Sequence, residues 1–283
     1  SGLRRAMVRR AARARGATLG FVPTMGALHE GHLSLVTRAR AENELVCVSV
    51  FVNPLQFDDP HDFERYPRDL EADAHLLARG GAAMVFGGTL AQFFSELPPG
   101  AEVPRRTPGP SARGLEGAFR PGHFAGVATI CARLFELLRP TRAYFGAKDF
   151  QQCLVVGELA RELGFPRIVV CPTSRDPDGL ARSSRNQLLA PEERSEALWL
   201  SRALFAARAA WRAGEREGAA LEALLARELA RGRLTPEYAV VRDPRALAEV
   251  PAGPLVQARA LIAARVGRVR LIDNLDLAGE DGA

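Results

Sequence analysis

The chain has 283 residues, enough for two modest domains or one large one, and its 47% hydrophobic and 25% charged content is ordinary for a globular protein. No apolar run approaches the roughly eighteen residues of a membrane-spanning helix, which excludes a transmembrane protein. The net charge of +5 does not mark a nucleic-acid binder, because 38 basic residues are interspersed with 33 acidic ones and aromatics make up only 7%. The excess suits attraction of a small, highly charged anion.

In chain order, a basic run comes first, with Arg4, Arg5, Arg9, Arg10, Arg13 and Arg15 and no acid among them. It reads as the solvated face of a first helix rather than an organellar presequence, since a strand-like segment, 18–23, follows at once. Ser1-Gly2 reads as a cloning remnant. Further β-branched runs at 45–52, 83–86, 142–145 and 167–171 alternate with helical patterns, as a parallel α/β sheet requires. The clearest helix spans 124–138, where Phe124, Val127, Cys131, Leu134, Phe135 and Leu138 recur at three- and four-residue steps.

Residues 98–110, rich in Pro, Gly and Arg, read as a surface connection, and 172–186 as a second loop. Pro191 with Glu192 and Glu193 opens a helix, since proline fits the first turn and acids favour its positive end. Helices at 191–212 and 217–231 precede strands at 237–241, 256–266 and 269–273, a small α+β unit. The expected domains are 1–175 and 176–283. The four cysteines, Cys47, Cys131, Cys153 and Cys171, lie in apolar segments without C-x-x-C spacing, which speaks against a zinc site or disulfide framework.

Four segments carry groups suited to chemistry. Pro23-Thr-Met-Gly-Ala-Leu-His-Glu-Gly-His32 joins a strand to a helix, where glycines permit a tight turn and helix N–H groups attract phosphate. His29 and His32 can both donate there; a metal site is the competing reading, but His61, His75 and His123 offer no obvious third ligand. Asn53 and Gln56 follow the second strand, where ligands of parallel sheets bind. Gly146, Lys148, Asp149 and Gln152 follow the fourth. All but one of the 38 basic residues are arginine, and the exception is Lys148. Last, Asp178-Gly-Leu-Ala-Arg-Ser-Ser-Arg-Asn186 offers two hydroxyls and guanidinium groups for a polyphosphate, or else a polar linker.

Taken in order, the strings VPTMGALHEGH, VSVFVNPLQF, LEGAFRPGHFAGV, FGAKDFQQ and DGLARSSRN, with Arg270-Leu-Ile-Asp-Asn274 near the end, resemble the pantothenate synthetase family of HIGH-motif nucleotidylyl transferases. The resemblance runs over residues 4–277. It implies a Rossmann-like parallel-sheet domain, a smaller α+β lid domain, a homodimer and a cytoplasmic location. The implied substrates are pantoate, β-alanine and ATP with Mg²⁺, joined through a pantoyl adenylate. Implied ATP contacts are Met25, Gly26, Ala27, Leu28, His29, Glu30, Gly31, His32, Gly146, Ala147, Lys148, Asp149, Ser174, Arg182, Ser183, Ser184 and Arg185.

Within that set, His29, His32, Lys148 and Arg185 are the implied catalytic groups. Gln56 and Gln152 match pantoate-binding positions, with Gln56 also near β-alanine. Asn53, Arg120 and His123 lie in the motif stretches, and no protein side chain is assigned to a metal. Three positions depart from the family pattern: Ala147 replaces Glu, Arg182 an apolar residue and Ser174 an aliphatic one. A sister enzyme that adenylates or nucleotidylates another small carboxylate is the alternative, and the glutamine pair argues against it. No room remains for a tRNA-binding domain.

Overall fold

A computed structural model describes residues 16–250 and 252–279; the basic N-terminal run and Ser1-Gly2 lie outside them. Two compact units emerge, one holding residues up to Gly146 together with Gln151–Cys171, the other holding Ala147–Phe150 and the chain from Pro172 onward.

In the first unit, β1 (Leu19–Thr24), β2 (Leu45–Val50), β3 (Met84–Phe86), β4 (Arg142–Gly146) and β5 (Arg167–Cys171) form one sheet of order β3-β2-β1-β4-β5. Every pairing in it is parallel. Between the strands lie α1 (Glu30–Glu42), α2 (Pro60–Arg65), α3 (Leu70–Gly80), α4 (Leu90–Phe93), α5 (Leu115–Phe119) and α6 (His123–Leu138), and α7 (Phe150–Leu163) joins β4 to β5.

Alternate side chains of β1 enter opposite cores, as a strand's period of two dictates. Phe21 packs with Phe135 and Leu138 of α6 and Val156 and Leu159 of α7. Val22 packs instead with Leu35, Val36 and Ala39 of α1 and Leu77 of α3. Helices therefore cover both faces, and the central strands are apolar on both sides. The chain steps from β1 to β2 on one side and later returns to β4 on the other. That reversal makes the carboxyl ends of β1 and β4 the topological switch point, outside which doubly wound sheets bind ligands.

The second unit contains α8 (Pro191–Arg212), α9 (Gly218–Leu229) and an antiparallel sheet of β6 (Thr235–Arg242), β7 (Arg259–Val266) and β8 (Val269–Asp276) in that order. Leu200, Leu204, Ala207 and Trp211 of α8 pack with Leu221 and Leu225 of α9 against Ile262 of β7. Glu193 reaches back to accept from Ala190 N–H at 2.9 Å, closing the first turn of α8 as its Pro-Glu-Glu opening suggests.

All eight expected strands form, with one start corrected. The strand read as 256–266 begins only at Arg259, and Val256 is 92% exposed. Gly253 at φ 103° and Pro254 turn the chain there, and Leu255 is buried instead, its N–H donating to Arg216 O at 3.0 Å. The short helices α2 to α5 have no counterpart among the expected elements.

Candidate active site

The strand β1 runs out into Met25, Gly26, Ala27 and Leu28 before α1 begins. Gly26 (φ 87°) and Ala27 (φ 50°) both take left-handed backbone, which is unfavourable for alanine. A buried carboxylate compensates. Asp73, on α3, accepts from Ala27 N–H at 3.0 Å and from Leu28 N–H at 2.8 Å. A Cβ on Gly26 would come within 2.8 Å of the same carboxylate, so glycine is required by space as well as by φ. The loop is thus held by charge-assisted bonds from a residue 46 positions away.

His29 is the N-cap of α1, and its Nδ1 accepts from Gly31 N–H at 3.1 Å. Nδ1 of His32 accepts from His29 N–H at 3.3 Å, so two histidines form the reciprocal capping box usually built by Ser or Thr with Glu. Each Nδ1 must keep its lone pair to accept, which places the ring proton on Nε2. The rings sit together, with centroids 4.2 Å apart. The pair therefore carries its ring protons on Nε2 at a helix N-terminus, beside the exposed Glu30 and the half-buried Gly31. Among the described residues, no group of three or more His, Cys, Asp or Glu side chains is placed to hold a metal ion.

After β2, Asn53 caps a short 3₁₀ turn, Pro54–Gln56. Its Oδ1 accepts from Leu55 N–H, and its Nδ2 donates to Gln56 Oε1 at 3.1 Å and to Gly126 O at 3.2 Å. Only 1% of Asn53 is exposed, so it acts here on Gln56 and on the turn. Gly126 allows this approach, since a Cβ there would meet Leu55 O at 2.0 Å.

The Gln56 amide donates to Met25 Sδ at 2.8 Å, which brings the second segment against the first. The Gln56 carbonyl accepts from His123 Nδ1 at 2.8 Å and from Arg120 Nη2 at 3.3 Å, and Arg120 Nη1 lies 3.3 Å from His123 Nε2. A carbonyl only accepts, so His123 carries its proton on Nδ1 and Nε2 takes the Arg120 N–H. Met25, Asn53, Gln56, Arg120 and His123 are therefore one cluster. Gln152 is half-buried on the first turn of α7. Its neighbour Gln151 is buried, donating to the carbonyls of Ser111, Arg113 and Gly114 and accepting from Glu116 N–H.

In the second unit, the turn Ala147–Asp149 carries Lys148, whose Nζ lies 3.7 Å from Asp149 Oδ1. Asn274 donates to the carbonyls of Ala147 and Lys148 at 2.9 and 2.8 Å. The loop after Pro172 folds back on itself: Arg182 N–H donates to Ser174 O, and Arg175 bridges to Ala181. Arg175 grips Asp273 through two bonds of 2.6 and 2.9 Å. Ser183 caps the turn Ser184–Leu188 by accepting from Arg185 N–H, and Ser184 is buried.

The family model of Pantoate-beta-alanine ligase matches residues 2–276. The chain belongs to the pantoate–β-alanine ligase family. It is 48% identical to a pantothenate synthetase of Chloroflexus aggregans, covering 94% of this chain and 95% of that one. A crystal structure of pantothenate synthetase from Thermus thermophilus superposes with a TM-score of 0.85 at 45% identity, covering 94% and 97% of the two chains. A pantoate-beta-alanine ligase from Francisella tularensis, solved with Beta-gamma ATP and β-alanine, gives 0.76 at 30% identity, covering 98% and 97%.

At Arg182, expected from the sequence to depart from the family pattern, Nε lies 3.0 Å from Asp176 Oδ1, an ionic contact that lacks hydrogen-bond geometry. Burial pushes the Cys131 thiol up to about 12 and raises Cys171 as well, so both stay protonated thiols near neutral pH. All four cysteines are buried, and none is in a disulfide.

Sequence reasoning passed over Asp73 and Arg175, and it quoted Gln151, Asp273 and Asn274 only within motif strings, without a role. Asp73 was findable: Asp69 before the run and a left-handed Gly81 after it bracket α3 with both end signals of a helix. Nothing local shows what the others bond, because the partners that define their roles are distant in sequence.

Proposed function

We propose that the chain condenses pantoate with β-alanine by way of a pantoyl adenylate. A pantoate carboxylate oxygen attacks the α-phosphorus of ATP, and the bond to pyrophosphate breaks. The β-alanine amine then attacks the acyl carbon, loses a proton, and AMP leaves with the bonding pair. One observation carries this reading: two histidines fixed as Nε2–H donors at a helix N-terminus, in the same unit as a buried glutamine amide tied to their loop through Met25. Phosphate charge needs fixed donors, and a small hydroxy acid needs a fixed amide.

In this reading Met25 to His32, Lys148, Asp149 and Arg182 to Arg185 serve ATP. Ser174 belongs to the same set, and its backbone carbonyl accepts from Arg182 N–H. Mg²⁺ comes with ATP and neutralises phosphate charge; Asp149, with a half-exposed carboxylate, is the kind of single acid such an ion takes. The lid role of the second unit, the homodimer and the cytoplasmic location belong to the same proposal. No helix among the described residues is long and apolar enough to cross a membrane.

The first step is separable in this scheme, so pyrophosphate–ATP exchange should appear with pantoate and Mg²⁺ alone. Exchange that demands β-alanine would sink the adenylate route.

Gln56→Ala and Gln152→Ala should each raise the pantoate KM by about tenfold or more, the scale of stranding one polar partner. ATP binding measured without pantoate should change little. If both variants lose ATP affinity instead, the glutamines belong to the nucleotide site.

Lys148→Arg should fail to restore what Lys148→Ala loses, although charge is kept. An ammonium is a compact point charge, whereas guanidinium is wide and planar. Both variants should slow single-turnover adenylation by at least about tenfold, roughly 1.4 kcal/mol of barrier. A wild-type rate in folded Lys148→Arg would make the lone lysine an accident of composition.

A further inference from the structure

We propose that Asn274 is a positioning residue for adenylation, which sets the place of the Lys148 ammonium by holding the backbone that carries it. The proposal rests on the reading that Lys148 binds ATP phosphate. Asn274 stands on β8 and is 3% exposed. Its Oδ1 accepts from Arg259 Nη1 at 2.7 Å. A guanidinium only donates, so that bond settles which way the amide faces. The NH₂ group is turned to the 147–149 turn, and its two hydrogens match two successive carbonyls, Ala147 O at 2.9 Å and Lys148 O at 2.8 Å.

No other side chain of this size fits both sides. Aspartate would set a carboxylate against two carbonyls, serine has one hydrogen to give, and glutamine is a methylene too long. The anchor behind the amide is rigid. Asn274 N–H donates to Asp273 Oδ1 at 2.7 Å, and Asp273 is clamped by Arg175. Arg259 also lies over the Phe150 ring at 3.8 Å and donates to Asp276, so the turn is gripped at a third residue. Pinning the carbonyls of Ala147 and Lys148 fixes the peptide planes on both sides of the lysine Cα. The flexible stem then starts from one direction, and less of its freedom has to be lost as phosphate binds.

The test is a double-mutant cycle in single-turnover adenylation, with saturating MgATP and pantoate, on wild type, Asn274→Ala, Lys148→Ala and the double variant. Asn274→Ala is expected to slow adenylation about tenfold, and the double variant to be no slower than Lys148→Ala. Losses that multiply would overturn the proposal, as would a wild-type rate in Asn274→Ala. A wild-type rate in Lys148→Ala refutes the underlying reading of Lys148, and that single variant tests it independently of the cycle. Should Asn274→Ala not fold, Arg259→Met takes its place in the cycle. It leaves Asn274 but removes the group that orients it. A loss of about threefold is expected, absent in the Lys148→Ala background; a loss that persists there counts against the proposal.

Discussion

His32→Ala is expected to lower the rate of adenylation by on the order of 10²–10³, the effect of removing one preorganised donor from developing charge. The structure separates two jobs of this ring. Nδ1 accepts from His29 N–H and so caps α1, while the same bond leaves the proton on Nε2. Loss of the cap bears on stability, by about 1 kcal/mol; loss of the Nε2–H bears on the reaction. The two amide replacements divide these roles. His32→Asn can present an oxygen near the Nδ1 position, so its stability should approach wild type while adenylation stays as slow as in the alanine variant. His32→Gln reaches towards the Nε2 position with an NH₂ and should recover part of the rate. Pyrophosphate exchange and thermal unfolding, measured on all three, read the two roles separately. Full activity in His32→Asn would reduce the histidine to a helix cap.

The second large effect is on stability. Arg175→Ala should destabilise the C-terminal unit by about 3–5 kcal/mol, because it strands a buried carboxylate. The Asp273 side chain is 2% exposed, and without Arg175 the one donor left to it among the described residues is its own neighbour's N–H, from Asn274. Arg175 also donates to Gly179 O and Asn274 O, so the 175–182 loop loses its tie to β8 in the same change. Both tryptophans of the chain, Trp199 and Trp211, lie on α8 in that unit, which makes their fluorescence a selective report of its unfolding. Denaturant titration should show the tryptophan transition moved to lower concentration. Replacing both partners, as Arg175→Met with Asp273→Leu, should recover much of the loss, since no charge is then left alone. A shift worth less than about 1 kcal/mol in Arg175→Ala would put this pair among ordinary surface ion pairs.

Much of this architecture is legible in the residues because it is written locally. Strands of a sheet covered on both faces appear as apolar runs, and β1, β2, β4 and β5 match those runs to within two residues at their ends. Pro191 with two glutamates announces α8, and the repeat of apolar residues announces α6. The resemblance of six ordered segments locates the candidate groups before any of them has a partner. What it does not provide is which atom of each group is used. The Nε2–H form of His29 and His32 follows from backbone N–H groups that only the folded helix start presents.

The internal roles of Asn53 and Gln151 likewise depend on carbonyls brought near by folding. Asp73 and Asn274 show the limit most clearly, because the loop backbone groups that their side chains hold lie 45 or more residues away. A side chain's hydrogen-bonding capacity is set by its type, but whether it serves a ligand or the protein's own backbone is set by what else is buried with it. The sequence by itself therefore determined the strands, the helices at 124–138, 191–212 and 217–231, the parallel character of the first sheet and the family. Tertiary structure alone decided which polar groups are consumed in holding the loops and which way the remaining donors face, since those depend on contacts between residues far apart in the chain.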